Sequence, residues 1–272
     1  MTPGQSLAMA HPTGRAHGQR LSRAIVPVIG VVLSLGLAPI SAGALVGGVS
    51  GRVVLDIDLS GPARLPVTKH RSVCGESKPS EEFLVSTDRG LANVVVTLEG
   101  VPGSYPPPRG LAVLDNVACV FVPHAQVMRL GQVLEIRNSD RVIHTAHAYD
   151  EERRTLFNVA LPVYKRSVRR ALMRPGRYRI ACDVGHTWMT AYVMVVDHPY
   201  ATVTDASGAF RIAGVPPGIY RLRFWHERLG SREEPVVIRP GSETTVNLVW
   251  HLGGAAVTGP NRVMAFPSER AR

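Results

Sequence analysis

A thiol, an imidazole and a thioether fall within eight residues of one another in Cys182-Asp183-Val184-Gly185-His186-Thr187-Trp188-Met189. Soft sulfur donors beside an imidazole suit copper, and two His, one Cys and a distant Met form the donor set of electron-transferring copper sites. The alternation in Tyr178-Arg179-Ile180-Ala181-Cys182 puts the thiol at the end of a strand, so the following loop can fold back with His186 and Met189. A second imidazole has to come from elsewhere. Asn138-Ser139-Asp140-Arg141-Val142-Ile143-His144-Thr145 is the best source, because a strand ends there and a polar loop leads to His144. His147 is the rival; three positions on along a regular strand it faces the other way, so only one of the pair reaches Cys182. Taken singly, these residues read as a buried thiol and packed imidazoles. Together they indicate one metal ion held by His144, Cys182, His186 and Met189. Asp183, Thr145 and Thr187 stand where they could orient the imidazoles, or are ordinary loop polarity. His124, beside Pro123, reads as a surface loop residue, with support of the metal ligands from behind as the lesser alternative. Catalytic patterns are missing: no His-x-His pair, His-Cys-His cluster, serine-nucleophile elbow, phosphate loop or His-Glu-x-x-His occurs. The chain reads as a binding protein and not as an enzyme.

The elements that must position these residues are strands. The chain carries 26 Gly and 21 Pro, and no segment sustains a long helical apolar period. Gly51 to Leu55 and Asn93 to Leu98 are β-branched runs bounded by loop residues. Leu134 and Ile136 alternate with Glu135 and Arg137, and Tyr220, Leu222 and Phe224 alternate with Arg221 and Arg223. Asp205-Ala206-Ser207-Gly208 and Pro216-Pro217-Gly218 supply turns. An all-β sandwich architecture follows, with one short helix expected within Lys165 to Leu172. Residues 60–89 and 100–110 read as loops, and residues 253–272 as a loose tail.

Residues 112–197 resemble a cupredoxin of the plastocyanin type. The resemblance rests on Phe121-Val122-Pro123, the Gly131 to Ile136 strand, Asn138 ahead of His144, and Gly176-x-Tyr178-x-x-x-Cys182 followed by His186 and Met189. It implies a Greek-key β-sandwich with one copper ion. The Cys-x-x-x-His-x-x-Met spacing differs by a residue from plastocyanin and amicyanin. It equals that of the binuclear centres of cytochrome oxidase and nitrous oxide reductase, but those need a second Cys where this chain has Tyr178. Residues 198–252 resemble the carboxypeptidase regulatory-like domain, a smaller transthyretin-like β-sandwich that implies support or binding and not chemistry. Trp225-His226-Glu227 within it reads as a packed Trp beside a strand-end His. The strands in residues 45–111 look like the opening strands of that same sandwich, which would make the cupredoxin an insertion; alternatively they extend the cupredoxin sheet.

The N-terminus reads as a secretory signal peptide. Arg15, Arg20 and Arg23 precede an apolar run from Ala24 to Leu37 and the small residues Ser41-Ala42-Gly43-Ala44, so cleavage is expected after Ala44. Removing residues 1–44 takes away those three Arg and no acid, lowering the net charge from +10 to +7. No later stretch is long and apolar enough to span a bilayer, although contact with a membrane surface stays open. Export and the lack of a recognition motif argue against nucleic acid; the basic run Lys165, Arg166, Arg169 and Arg170 suits an anionic surface, an acidic partner or simply solvent. A periplasmic or secreted location permits disulfides, and an odd count of three Cys pairs Cys74 with Cys119 and leaves Cys182 free. The leading expectation is a copper protein passing electrons to and from a redox partner, with an edge of His186 presented to it. Copper storage or delivery, and a metal-free interaction sandwich, are the alternatives.

Overall fold

The computed structural model describes residues 45–57 and 61–251. The expected signal peptide and C-terminal tail lie outside the described residues. The first strands are β1 (Gly47–Leu55), β2 (Arg64–Pro66) and β3 (Ser77–Pro79), with a single-turn helix α1 (Arg71–Cys74) between the last two, and then β4 (Val95–Glu99). Next come β5 (Ala112–Val117), β6 (Val120–Val122), β7 (Ala125–Arg129), β8 (Val133–Asn138), β9 (His144–Tyr149), β10 (Thr155–Leu161), β11 (Ser167–Ala171), β12 (Gly176–Ala181) and β13 (Thr190–Val196). The chain continues through β14 (Ala201–Val203), β15 (Ala209–Val215), β16 (Gly218–His226), β17 (Gly230–Ile238), β18 (Glu243–Thr245) and β19 (Leu248–Trp250). The protein is all-β.

Two sheets build the first sandwich, in the orders β10-β9-β12-β13-β7 and β11-β8-β5-β6. The pairs β5–β8 and β7–β13 are parallel and the rest antiparallel, the mixed pattern that crossing Greek-key connections produce. Alternation along each strand sends one set of side chains inward. Leu114, Phe121, Leu134, Ile136, Ala146, Ala148, Ile180 and Val193 meet there with no contact to water. Burying a Phe or Leu side chain is worth about 1.5–3 kcal/mol, so this core anchors the strands that carry the site.

The second sandwich is assembled from both sides of the first. β1 runs antiparallel to β15 and parallel to β18 and then β19, while β4 lies between β14 and β16, with β17 outside. Val49, Val53, Val96, Leu98, Leu222 and Phe224 form its core. Residues 45–111 therefore divide: β1 and β4 pair with strands that follow residue 200, whereas Leu65, Val67 and Cys74 pack into the first core.

Residues 165–172 are not helical. β11 pairs antiparallel with β8, setting Arg169 opposite Glu135, and the Arg169 guanidinium lies 3.3 Å from that carboxylate. A run alternating Ser, Val, Arg, Arg and Ala has no apolar stripe to bury at helical spacing, and the open edge of β8 offers it backbone partners instead. Among the described residues no helix is long and apolar enough to cross a membrane.

The two sandwiches meet through Val95, Ala125, Tyr192 and Trp225. Contrary to the sequence expectation, His124 is buried at this junction and not at the surface. Its Nε2 makes a short hydrogen bond to Glu227 Oε1, and its Nδ1 lies 3.5 Å from Glu81 Oε2, an ion-pair distance. Burial pushes the His124 imidazolium down, but the hydrogen bonds and charges of Glu227 and Glu81 outweigh it and hold it at about 9. Burial raises Glu227, and His124 and His226 more than offset that, so it sits below its ordinary 4.5. The signs fix a window. His124's contribution is complete below about pH 6.5 and is lost as pH rises through about 9. That of Glu227 is complete above about pH 4.5 and fades as pH falls through its depressed value. Glu227→Gln is expected to lower stability between pH 4.5 and 6.5 by at most about 3 kcal/mol, and the gap from the native protein should narrow toward pH 9. Urea unfolding of both proteins from pH 5 to 9 checks this; a pH-independent gap would assign the pair no electrostatic role.

Candidate metal centre

Antiparallel pairing brings the site together. β9 and β12 run in opposite directions side by side, with Ala181 at the end of β12 opposite His147, so the start of β9 at His144 comes close to Cys182, the first residue beyond β12. β12 and β13 form a hairpin with Ala181 opposite Thr190, so residues 182–189 are a loop whose two ends are pinned. Gly185 turns that loop with φ +92°, a conformation that side-chain-bearing residues rarely adopt. The Met189 N–H closes it by donating to His186 O at 2.9 Å.

Three donor atoms converge. The Cys182 sulfur is 3.9 Å from His144 Nδ1 and 3.6 Å from His186 Nδ1, and the two Nδ1 atoms are 3.1 Å apart. A trigonal set with metal–nitrogen bonds of ~2.0 Å and a metal–sulfur bond of ~2.3 Å spans separations of roughly 3.5 and 3.7 Å, so the triangle fits one metal ion. His144 and His186 are fully buried and Cys182 nearly so. Burial, more than any neighbour, keeps both imidazoles below their ordinary 6.5, His186 at about 4, where the charges of His144, His70 and Lys69 add to it. At neutral pH both rings are therefore neutral and can offer a lone pair. Met189 is buried in the same core. Asp140 and His144 also cluster with Cys119, but that sulfur is bound in a disulfide and has no thiolate to give.

β9 separates the rival histidines: His144 faces the core and His147 the outside. His147 bonds to Asp183 Oδ2 at 2.6 Å and Thr155 Oγ1 at 2.7 Å, away from the donor triangle. Thr145 touches the thiol directly, its N–H pointing at Cys182 Sγ at 3.4 Å. Its hydroxyl accepts from the Asp183 N–H at 2.6 Å. Among the described residues the Thr187 side chain has no hydrogen-bond partner.

Two partners of the imidazoles escaped the sequence analysis. The first is Asp140. Asn138 Oδ1 accepts from the Asp140 N–H at 3.1 Å while its amide donates to Val142 O and Leu161 O, a side-chain-built turn. That turn aims the Asp140 carboxylate at His144 Nε2, 2.9 Å away, and at the N–H groups of Ala118 and Cys119, both at 2.8 Å. A carboxylate on Nε2 keeps the proton there and leaves Nδ1 free for a metal. An Asx residue two beyond a strand-ending Asn was the available signal.

The second is His70, whose Nδ1 lies 2.8 Å from His186 Nε2. His186 therefore presents no open edge to solvent, which corrects the expectation that its rim would face a partner. The segment β2–α1–β3 lies over the ligand loop: Thr68 Oγ1 approaches Gly185 O at 3.5 Å, and the Lys69 stem would sit 3.1 Å from a Cβ at Gly185. A disulfide between Cys74 and Cys119 ties this strap down, as the odd Cys count led us to expect. Trp188 completes the cover, donating from Nε1 to Cys119 O at 2.8 Å with its ring 4.9 Å from that of His186.

Residues 185–251 match the model of the carboxypeptidase regulatory-like domain family. A search of curated proteins finds no match. Among solved structures, a purple cupredoxin from Nitrosopumilus maritimus is 21% identical, with TM-score 0.28, over 31% of this chain and 99% of that one. An amicyanin from Paracoccus versutus is 13% identical, with TM-score 0.29, over 37% and 97%. A copper-containing nitrite reductase from Thermus scotoductus is 18% identical with TM-score 0.29 over 36% of this chain, which spans only 28% of that protein. The strand pairings and the family match agree on two joined β-sandwiches, of which the second carries the match to the carboxypeptidase regulatory-like domain.

Proposed function

We propose that this chain is an exported electron carrier in which His144 Nδ1, His186 Nδ1 and Cys182 Sγ would hold one copper ion, with Met189 as a further donor. The observation that carries the reading is the buried triangle of two imidazoles and one thiol with 3.1–3.9 Å edges. A bound copper ion supplies a one-electron couple. The chain's own residues do the rest. Burial of His144, Cys182 and His186 excludes water, and water is the ligand whose gain or loss would slow a change of oxidation state. Asp140 restrains the His144 ring and the Thr145 N–H restrains the Cys182 sulfur, so little would have to move when an electron is gained or lost. The Cys74–Cys119 disulfide supports an oxidising compartment, periplasmic or extracellular. The second sandwich supports a binding or scaffolding role beside the redox centre, and the redox partner is a separate protein.

Copper titration of the mature chain tests this. One ion per chain, an intense thiolate-to-copper visible band and reversible bleaching on reduction are expected. A colourless loaded protein would remove the reading, and rapid surrender of the ion to a chelator would favour metal delivery over electron transfer.

A further inference from the structure

The strap over the ligand loop does more than cover it. Its tip is His70, held with φ 57° at the start of α1, where its carbonyl accepts from the N–H of Val73 at 2.9 Å and of Cys74 at 2.8 Å. Cys74 is bonded to Cys119, and Leu65 and Val67 sink into the core, so the ring is fixed from both ends of the strap. His70 is half-buried, with its Nδ1 on His186. Along the strap Arg64, Lys69 and Arg71 are exposed and Lys78 is half-buried; Glu76, the only acid within residues 64–78, lies 3.7 Å from the Arg71 guanidinium. The segment thus carries four cations against one anion.

We propose that this strap is the docking face for an acidic electron-transfer protein, with His70 as the outermost link between that partner and the metal ligands. The inference rests on the copper reading above. Electrons reaching His186 from this side have no path through solvent; the nearest group outside is the His70 ring at 2.8 Å. With His186 Nδ1 given to the metal, its Nε2–H donates to His70 Nδ1. His70 is a positioning residue: it touches His186 and not the ion. A ligand imidazole carries more positive charge in the oxidised state, so an acceptor on its N–H favours that state. The transfer itself moves one electron, with no bond made or broken and no proton released. The basic rim steers an anionic partner toward the same edge and repels a cationic one.

Three measurements test it. In the copper-free protein, diethyl pyrocarbonate should leave His186 unmodified, and His70→Ala should open it to reaction; this readout does not depend on copper. In the copper form, His70→Leu fills the space without an acceptor and should shift the redox equilibrium about tenfold toward the reduced state, or ~59 mV for one electron. His70→Gln, which restores an acceptor, should return it toward the native value. Finally, oxidation of the Cu(I) form by anionic hexacyanoferrate(III) should outpace oxidation by cationic tris(phenanthroline)cobalt(III). The ratio should fall with salt and drop several-fold in Lys69→Glu, which leaves the Arg71–Val67 fastening of the strap intact. A potential unmoved by His70→Leu, or a rate ratio unmoved by charge reversal, would overturn the proposal while leaving the copper reading intact. Binding to phosphatidylserine vesicles through Lys69 and Arg71, with an unchanged ratio, would assign the face to a membrane and overturn it too. A native chain that takes up copper without colour would sink the copper reading first.

Discussion

Cys182→Ala is expected to erase the visible band completely and to weaken copper binding by more than about 100-fold. The band arises from charge moving from sulfur to metal, and Cys182 is the one free thiol among the described residues, so no other side chain can replace it. The floor on affinity follows from scale: removing a group that merely orients a ligand already costs ~10–100-fold, and Cys182 would be a ligand. The fold should survive. The sulfur sits at a strand end in a loop pinned by the β12–β13 hairpin, so its loss leaves a small void costing on the order of 1 kcal/mol. Visible spectroscopy and competitive titration read the metal, and urea unfolding reads the fold. A variant that keeps the band would show that the colour comes from elsewhere. One that unfolds at once would show that the thiol is structural.

Removing the Cys74–Cys119 disulfide is the largest expected loss of stability. The bond closes a loop with sequence separation 45. In the chain-entropy account a loop of that size restricts the unfolded chain by about 4 kcal/mol. Both thiols are buried, so the paired Cys74→Ala/Cys119→Ala variant also leaves two small voids. The urea midpoint should fall accordingly, and the damage should be greatest in the strap. α1 is a single turn, too short to hold itself, and in the native chain it is fastened at Cys74 and by Arg71 Nε donating to Val67 O at 2.8 Å. Hydrogen exchange should therefore show the amides of Val73 and Cys74 losing protection before the β strands do. A variant within about 1 kcal/mol of the native protein would mean that packing of Leu65 and Val67 already holds the strap.

These two predictions draw on features of different visibility. Period-two alternation is local, so the strands at residues 134–137, 178–182 and 220–224 could be read from a few consecutive side chains, and with them the all-β class. The candidate donors of residues 182–189 could be named in the same way, because Cys182, His186 and Met189 are neighbours in the chain and their chemistry is a matter of type and spacing. Three Cys in a chain read as exported, with Cys182 set apart by its neighbours His186 and Met189, were enough to pair Cys74 with Cys119. Even the choice between His144 and His147 could be framed from pleat geometry alone, although which face points inward belongs to the folded sheet.

Hydrogen-bond partners decided the rest, and these are set by distant chain segments meeting. His70 lies 116 residues before His186, and His124 lies 103 before Glu227, so no local pattern links either pair. The burial of His124 depends on a second sandwich packing against the first, and the hidden edge of His186 on a strap from residues that read as a plain loop. Residues 165–172 show the same limit: their composition tolerates a helix, and only the unpaired edge of β8 makes them a strand. The sequence by itself determined which side chains could bind a metal. Only the tertiary structure decided what surrounds them, because shielding an imidazole from water requires groups that chain proximity never supplies.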